Sequence, residues 1–396
     1  MKNINPEILY WARKTSGLDL EEAAKKLSLS KLSYNSPADR LKSLESGDEE
    51  PNRQLLVKMA KKYHRPLLIF YLAKPPKKGN LGKDFRTLPN DYWEANDALM
   101  GALLRDIQVR QSLLKSVLED EEDFEQLKFV GSVNLNNKPK DVTASIRKTL
   151  DINLADFRSE KSTKKAFNFL RKKVEATGVF VLLINDLGSH HTDISLNTFR
   201  GYALADKIAP FVIINKNDSH GAWSFTLLHE LAHIWLGETG ISGIQSDMKI
   251  EKFCNDVAGN FLLPEEELSE LTIDKSMHFD LVSELITAFS TDRNVSSSMV
   301  AYKIFLTGQI GNELWQKLSN FYRQKWLESR NKDREGRKKK KGVGPDYYVV
   351  KRHSTGARLL NLVRNFLNEG LLTTSKAGKL LGVNPNNIQN LFEIDS

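Results

Sequence analysis

The stretch FTLLHELAHIWLG, residues 225–237, sets two histidines four positions apart, with a glutamate directly after the first. On a helix, positions i and i+4 share one face, so His229 and His233 can present their imidazoles to a single metal ion. Glu230 follows His229 and can lean over the open side of that ion, where a water needs a proton acceptor. Leu227, Leu228, Leu231, Ala232, Ile234, Trp235 and Leu236 make the segment apolar nearly all round, the pattern of a core helix. Polar side chains inside such a helix cost several kcal/mol unless they have partners, and a metal is one partner.

Two imidazoles need a third ligand. Downstream, IEKFCNDVAGNFLLP (250–264) reads as a second helix ended by Pro264. Glu251 lies 18 residues beyond His233, enough for one loop and a return to the first helix. It shares a face with Cys254, Asn255 and Ala258. Asp256 points elsewhere, Glu265–Glu267 follow the proline, and Asp247 in the loop is the weaker competitor. Glu251 therefore completes a set of two imidazoles and one carboxylate, with Asn255 one turn on to orient a ligand. Zinc, one per chain, is the default for this set, and manganese also tolerates it.

Upstream, GVFVLLIND (178–186), FRGYALAD (199–206) and APFVIIN (209–215) are β-branched and aromatic runs of strand length. Helical patterns occupy 142–176. A small sheet packed on helices, an α+β arrangement, is the expected core.

The run FRGYALADKIAPFVIINKNDSHGAWSFTLLHELAHIWLG (199–237), followed by 250–264, resembles the ImmA/IrrE family of metallopeptidases. Cys254 stands where that family's second helix has a small alanine. The resemblance implies a zincin-like domain and an endopeptidase in which Glu230 is the general base. A donor to the developing oxyanion is also expected, with Tyr202, His220 and Arg200 as candidates from position. Family members typically cut a helix-turn-helix repressor, releasing genes of a mobile element or a stress response. That implies a protein substrate, with a toxin partner and a homodimer as further expectations.

The chain has 396 residues and a net charge of +8, and 18 Lys and Arg against 10 Asp and Glu fall within residues 1–90. This basic segment fits nucleic acid or an acidic protein partner. Its stretches WARKTSGLDLEEAAKKL (11–27), LESGDEEP (44–51) and LLVKMAKKYHRPLLIFYLAKPP (55–76) resemble the helix-turn-helix domain of Xre/Cro repressors. DFR at 84–86 resembles family members fused to such a domain. A recognition helix from Pro37 would present Arg40, Lys42 and Ser43 to DNA. The loop SLSKLSYNSPADR (28–40) is longer than the usual turn and lacks its glycine, so a protein-binding role stands beside DNA contact.

The resulting layout has an all-α helix-turn-helix domain over 1–76 and a linker and helical connector over 77–141. The metallopeptidase domain covers 142–310, and a helix with the basic linker NKDREGRKKKK (331–341) covers 311–345. A small helical tail fills 346–396. The single cysteine excludes a disulfide framework and a thiolate metal cage within one chain. No apolar leader or run of membrane-spanning length occurs, so the chain is read as cytoplasmic. The alternative is a DNA-binding regulator or antitoxin that keeps the peptidase fold as a scaffold. No RNA-recognition motif is visible.

Overall fold

The computed structural model describes residues 4–393 apart from 66, 73, 76–94, 122–124, 189–191, 242–247, 275–276 and 340–345. The DFR stretch and Asp247 lie outside the described residues. The chain divides into two units, Met1–Val109 with Asp186–Thr198, and Arg110–Asn185 with Phe199–Ser396.

In the first unit, four short helices begin where a side chain caps them: α1 (Pro6–Lys14), α2 (Leu20–Leu27), α3 (Pro37–Ser46) and α4 (Arg53–Lys62). Asn5, Asp19, Ser36 and Asn52 each accept a backbone N–H of the first turn. Such caps contribute about 0.5–2 kcal/mol apiece. Gly47 ends α3 at φ +90°, and a Cβ there would come within 2.8 Å of Pro6. Ile8, Leu9, Ala12, Leu27, Leu41, Leu44, Met59 and Phe70 fill the core. Arg13 and Glu45 form a buried pair at its edge, 2.6 Å apart.

The division falls inside α5 (Ala95–Glu119). Within the second unit, Gln111 of α5 donates to the carbonyls of Leu204 and Ala209, and Lys115 meets Asp206 at 2.7 Å. The predicted helical region over 142–176 is three helices: α6 (Pro139–Leu150), α7 (Leu154–Ser159) and α8 (Thr163–Ala176).

The three expected strands form, as β1 (Phe180–Leu183), β2 (Gly201–Leu204) and β3 (Phe211–Ile214). Helix α9 (His220–Leu236) carries the opening motif, and the two-residue β4 (Gly240–Ile241) follows it. The sheet order is β1-β3-β2-β4, with β1 parallel to β3 and the other pairs antiparallel. All four residues in each of β1, β2 and β3 are buried.

Helix α10 (Met248–Leu262) and the short α11 (Glu265–Leu268) come next, then α12 (Phe279–Asp292), α13 (Ser297–Leu306) and α14 (Asn312–Lys339). The segment read as a basic linker is thus helical through Lys339. Apart from one glycine it holds no helix breaker. The tail is α15 (Tyr347–Thr355), α16 (Ala357–Asn368), α17 (Thr374–Leu381) and α18 (Ile388–Phe392). Among the described residues, no helix is long and apolar enough to cross a membrane.

Candidate metal centre

Helix α9 packs against β2 and β3 and against α8 and α10. Ser219 caps its start, and Gly237 in the left-handed region ends it. The amides of Gly131 and Val133 take the carbonyls of Ile234 and Trp235 near its C-terminus, and Phe129 stacks on Trp235. Leu227, Leu228, Leu231, Ile234 and Trp235 are fully buried. Burial stabilises each large apolar side chain by about 1.5–3 kcal/mol. That offsets the cost of placing three polar groups in the same helix.

His229 and His233 are 5% and 2% exposed, and Glu230 is fully buried. The Nε2 atoms of the two histidines lie 3.2 Å apart. Glu251 reaches in from the first turn of α10, with Oε2 3.3 Å from His229 Nε2 and Oε1 3.3 Å from His233 Nε2. Ligand atoms at 2.0–2.1 Å from a tetrahedral zinc are separated by about 3.3 Å. The spacing of the two imidazole nitrogens, and that of each to one of the two carboxylate oxygens, is close to that edge length, so the donor set suits a small divalent ion. Among the described residues, these three form the only His, Cys, Asp and Glu group of metal-binding geometry.

Asn255 Oδ1 is 3.0 Å from His229 Nδ1. With Nδ1–H donating to that amide, the Nε2 lone pair is left facing the cluster. Burial pushes the Glu251 carboxyl up, but the two imidazoles beside it outweigh that and hold it below the usual carboxylate range. Cys254, one turn on, is fully buried. Burial pushes its thiol up, and the carboxylates of Glu230 and Glu251 push further.

The candidates for an oxyanion donor are placed differently. Tyr202 is buried on β2, edge-on to Phe199. Arg200 is largely exposed and donates to Asp218 at 3.2 Å. His220 opens α9 with its ring 4.5 Å from Trp223. Nine residues of helix place it about 13 Å along the axis from His229, too far to reach a carbonyl held at the cluster.

One neighbour escaped the sequence reading. A Cβ on Gly201 would fall 2.7 Å from Glu230 Oε1 and 2.5 Å from Thr226 Cγ2. Only glycine lets β2 pass this close to the carboxylate. The available signal was a glycine inside a strand pattern, which often marks a close approach.

In the first unit, α3 does start at Pro37, as expected. Of its three proposed DNA contacts, Lys42 is exposed. Arg40 is held by Glu49 at 2.7 Å and also donates to Ser30. Ser43 is buried, its hydroxyl 3.1 Å from that of Tyr34, so it lies on the packed face and cannot reach a base edge.

Residues 175–305 match the family model described as the IrrE N-terminal-like domain, Peptidase_M78. The matched span holds the four strands, α9, α10 and the whole His229–His233–Glu251 cluster. It supports the ImmA/IrrE resemblance and a metallopeptidase with a metal cofactor. No curated protein and no solved structure matches the chain.

Proposed function

We propose that this chain is a metallo-endopeptidase, with His229, His233 and Glu251 holding one divalent ion, zinc before manganese. The observation that carries this reading is the convergence of two imidazole nitrogens, 3.2 Å apart, with the two oxygens of one carboxylate, each 3.3 Å from one of them, inside the matched peptidase span. A bound ion supplies Lewis acidity to the scissile carbonyl and makes water a nucleophile at neutral pH.

The chain's own groups do the rest. Glu230 takes the proton of the attacking water and delivers it to the leaving amine. Gly201 keeps β2 from displacing the Glu230 carboxylate. Asn255 fixes the tautomer and the ring orientation of His229. Burial of the cluster strengthens each of these electrostatic interactions. The substrate is a protein, in our reading a helix-turn-helix repressor. The four-helix N-terminal segment would recognise that partner or its operator, and a toxin partner or a homodimer would fit the same setting.

Elemental analysis of the wild type and of the His233→Ala, Glu251→Ala and Glu230→Gln variants tests the assignment. Near-stoichiometric metal is expected in the wild type and in Glu230→Gln, and little in the other two. Turnover of a quenched-fluorescent peptide pool should fall about 10²–10⁴-fold in Glu230→Gln, the usual contribution of a general base. Unchanged turnover in that variant, or metal retained by both ligand variants, would sink the reading.

A further inference from the structure

The peptidase reading makes no use of the C-terminal helices, and the charge of the chain draws attention to them. Residues 323–393 contain 16 Lys and Arg against 6 Asp and Glu, a net of +10. Residues 91–322 contain 24 against 33, a net of −9. The overall +8 therefore conceals an acidic middle between two basic ends.

Most of that second basic charge lies before the tail; residues 346–393 themselves contain 6 Lys and Arg against 3 Asp and Glu, a net of +3. Within them, α17 ends at Gly382, which sits in the left-handed region at φ 65°. Three residues, Gly382 to Asn384, turn the chain into the eight-residue helical segment formed by Pro385–Asn387 and α18. A Cβ on Gly378 would come within 3.0 Å of the Val383 carbonyl and 3.1 Å of Pro385, so the turn and the start of the second arm pack closely on the first. Ala377, Leu380 and Leu381 on the first arm are buried, as are Ile388 and Leu391 on the second. Arg364 of α16 lies over the Phe392 ring, and Asn390 donates to the Tyr348 hydroxyl of α15, bracing the second arm. A small residue where the turn packs back, a glycine in a three-residue turn and an apolar inner face are the features of a helix-turn-helix.

The outer face is equally specific in chemistry. Asn386, Asn387 and Gln389 are exposed on the second arm, and Lys376 and Lys379 are exposed on the first. Side-chain amides pair a donor and an acceptor with adenine in the major groove, while lysines on the preceding helix meet phosphates. An A-form RNA major groove is too narrow to admit the arm.

We propose that residues 374–392 form a second recognition module, which docks on duplex DNA with Asn386, Asn387 and Gln389 at base edges and Lys376 and Lys379 on phosphates. The module stands independently of the peptidase assignment.

Fluorescence anisotropy of the full chain with a labelled mixed-sequence duplex of about 30 base pairs, titrated from about 50 to 200 mM salt, tests it. The Lys376→Gln, Lys379→Gln double variant should bind ten-fold or more weakly at low salt, with the salt slope reduced by about two. Selection from randomised duplexes should return an adenine-containing motif with the wild type. The Asn386→Ala, Asn387→Ala, Gln389→Ala variant should return none. These side chains are exposed, and superimposed unfolding curves will show that the fold is intact. Affinity and slope unchanged in the lysine variant overturn the proposal. Equal binding of single-stranded DNA, lost in that same variant, overturns the duplex assignment.

Discussion

Arg171 and Glu175 on α8 are buried about as deeply as His229 and His233 on α9, yet the two groups are satisfied in opposite ways. Arg171 Nε donates to Glu175 Oε1 at 3.0 Å, and the guanidinium also meets the carbonyls of Val181, His353 and Ser354. Glu175 Oε2 accepts the amides of Ala357 and Arg358 at the start of α16. Opposite charges meet, and donors face acceptors on every side. On α9 and α10 two imidazole nitrogens and a carboxylate point at one another, a gathering of lone pairs. The first pattern braces a fold, and the second is what a cation selects. Burial alone does not separate structure from chemistry, but the sign of what converges does.

Breaking the brace should have the largest effect on stability. Glu175→Ala leaves the Arg171 charge buried without its partner, at a cost of about 3–5 kcal/mol. Urea unfolding measures this directly, and a loss below about 1 kcal/mol would mean that the pair does not brace the fold. On the other side of the comparison, Asn255→Ala should leave folding almost unchanged but lower metal affinity by about 10–100-fold. Competition with a chelating dye reads that affinity, and an unaltered value would remove Asn255 from the site.

A further effect concerns pH. His353 lies beside the brace, its Nε2 3.2 Å from Asn168 Oδ1. Burial, and then the charges of Arg171, Lys164 and His220, lower it from 6.5 to about 4. The unfolded chain therefore binds the extra proton first. The contribution of His353 is complete above about pH 6.5 and is lost as pH falls towards 4. Thermal midpoints of the wild type should fall between pH 7 and about 4.5 by more than those of His353→Gln. Parallel declines would exclude His353 as the source.

Much of the candidate cluster was legible because the spacing of its two histidines is set along one helix. His229 and His233 are four apart on one helix, and the face shared by Glu251 and Asn255 follows from helical period. The strands β1 to β3 were equally plain from their β-branched runs. Contacts made across long separations were not legible. Arg171 and Glu175 look like an exposed i,i+4 pair until α15 and α16 cover them. Ser43 looks like one of the exposed polar residues of a recognition helix until Tyr34 folds over it. β4 has two residues, too few for any periodicity to appear. The basic run after Asn331 reads as a linker by charge, although local propensity carries α14 on to Lys339.

The brace also decides how far the chain can be cut back. A fragment ending at residue 345 would keep both α9 and α10. It would also keep Arg171 and Glu175, while deleting the carbonyls of His353 and Ser354 and the amides of Ala357 and Arg358 that surround them. Gly356 sharpens the point, because its φ of +86° lets the backbone turn directly over the Glu175 carboxylate, where a Cβ would collide. The smallest expressible peptidase therefore includes α15 and the start of α16, and a shorter clone inherits two stranded charges in its interior.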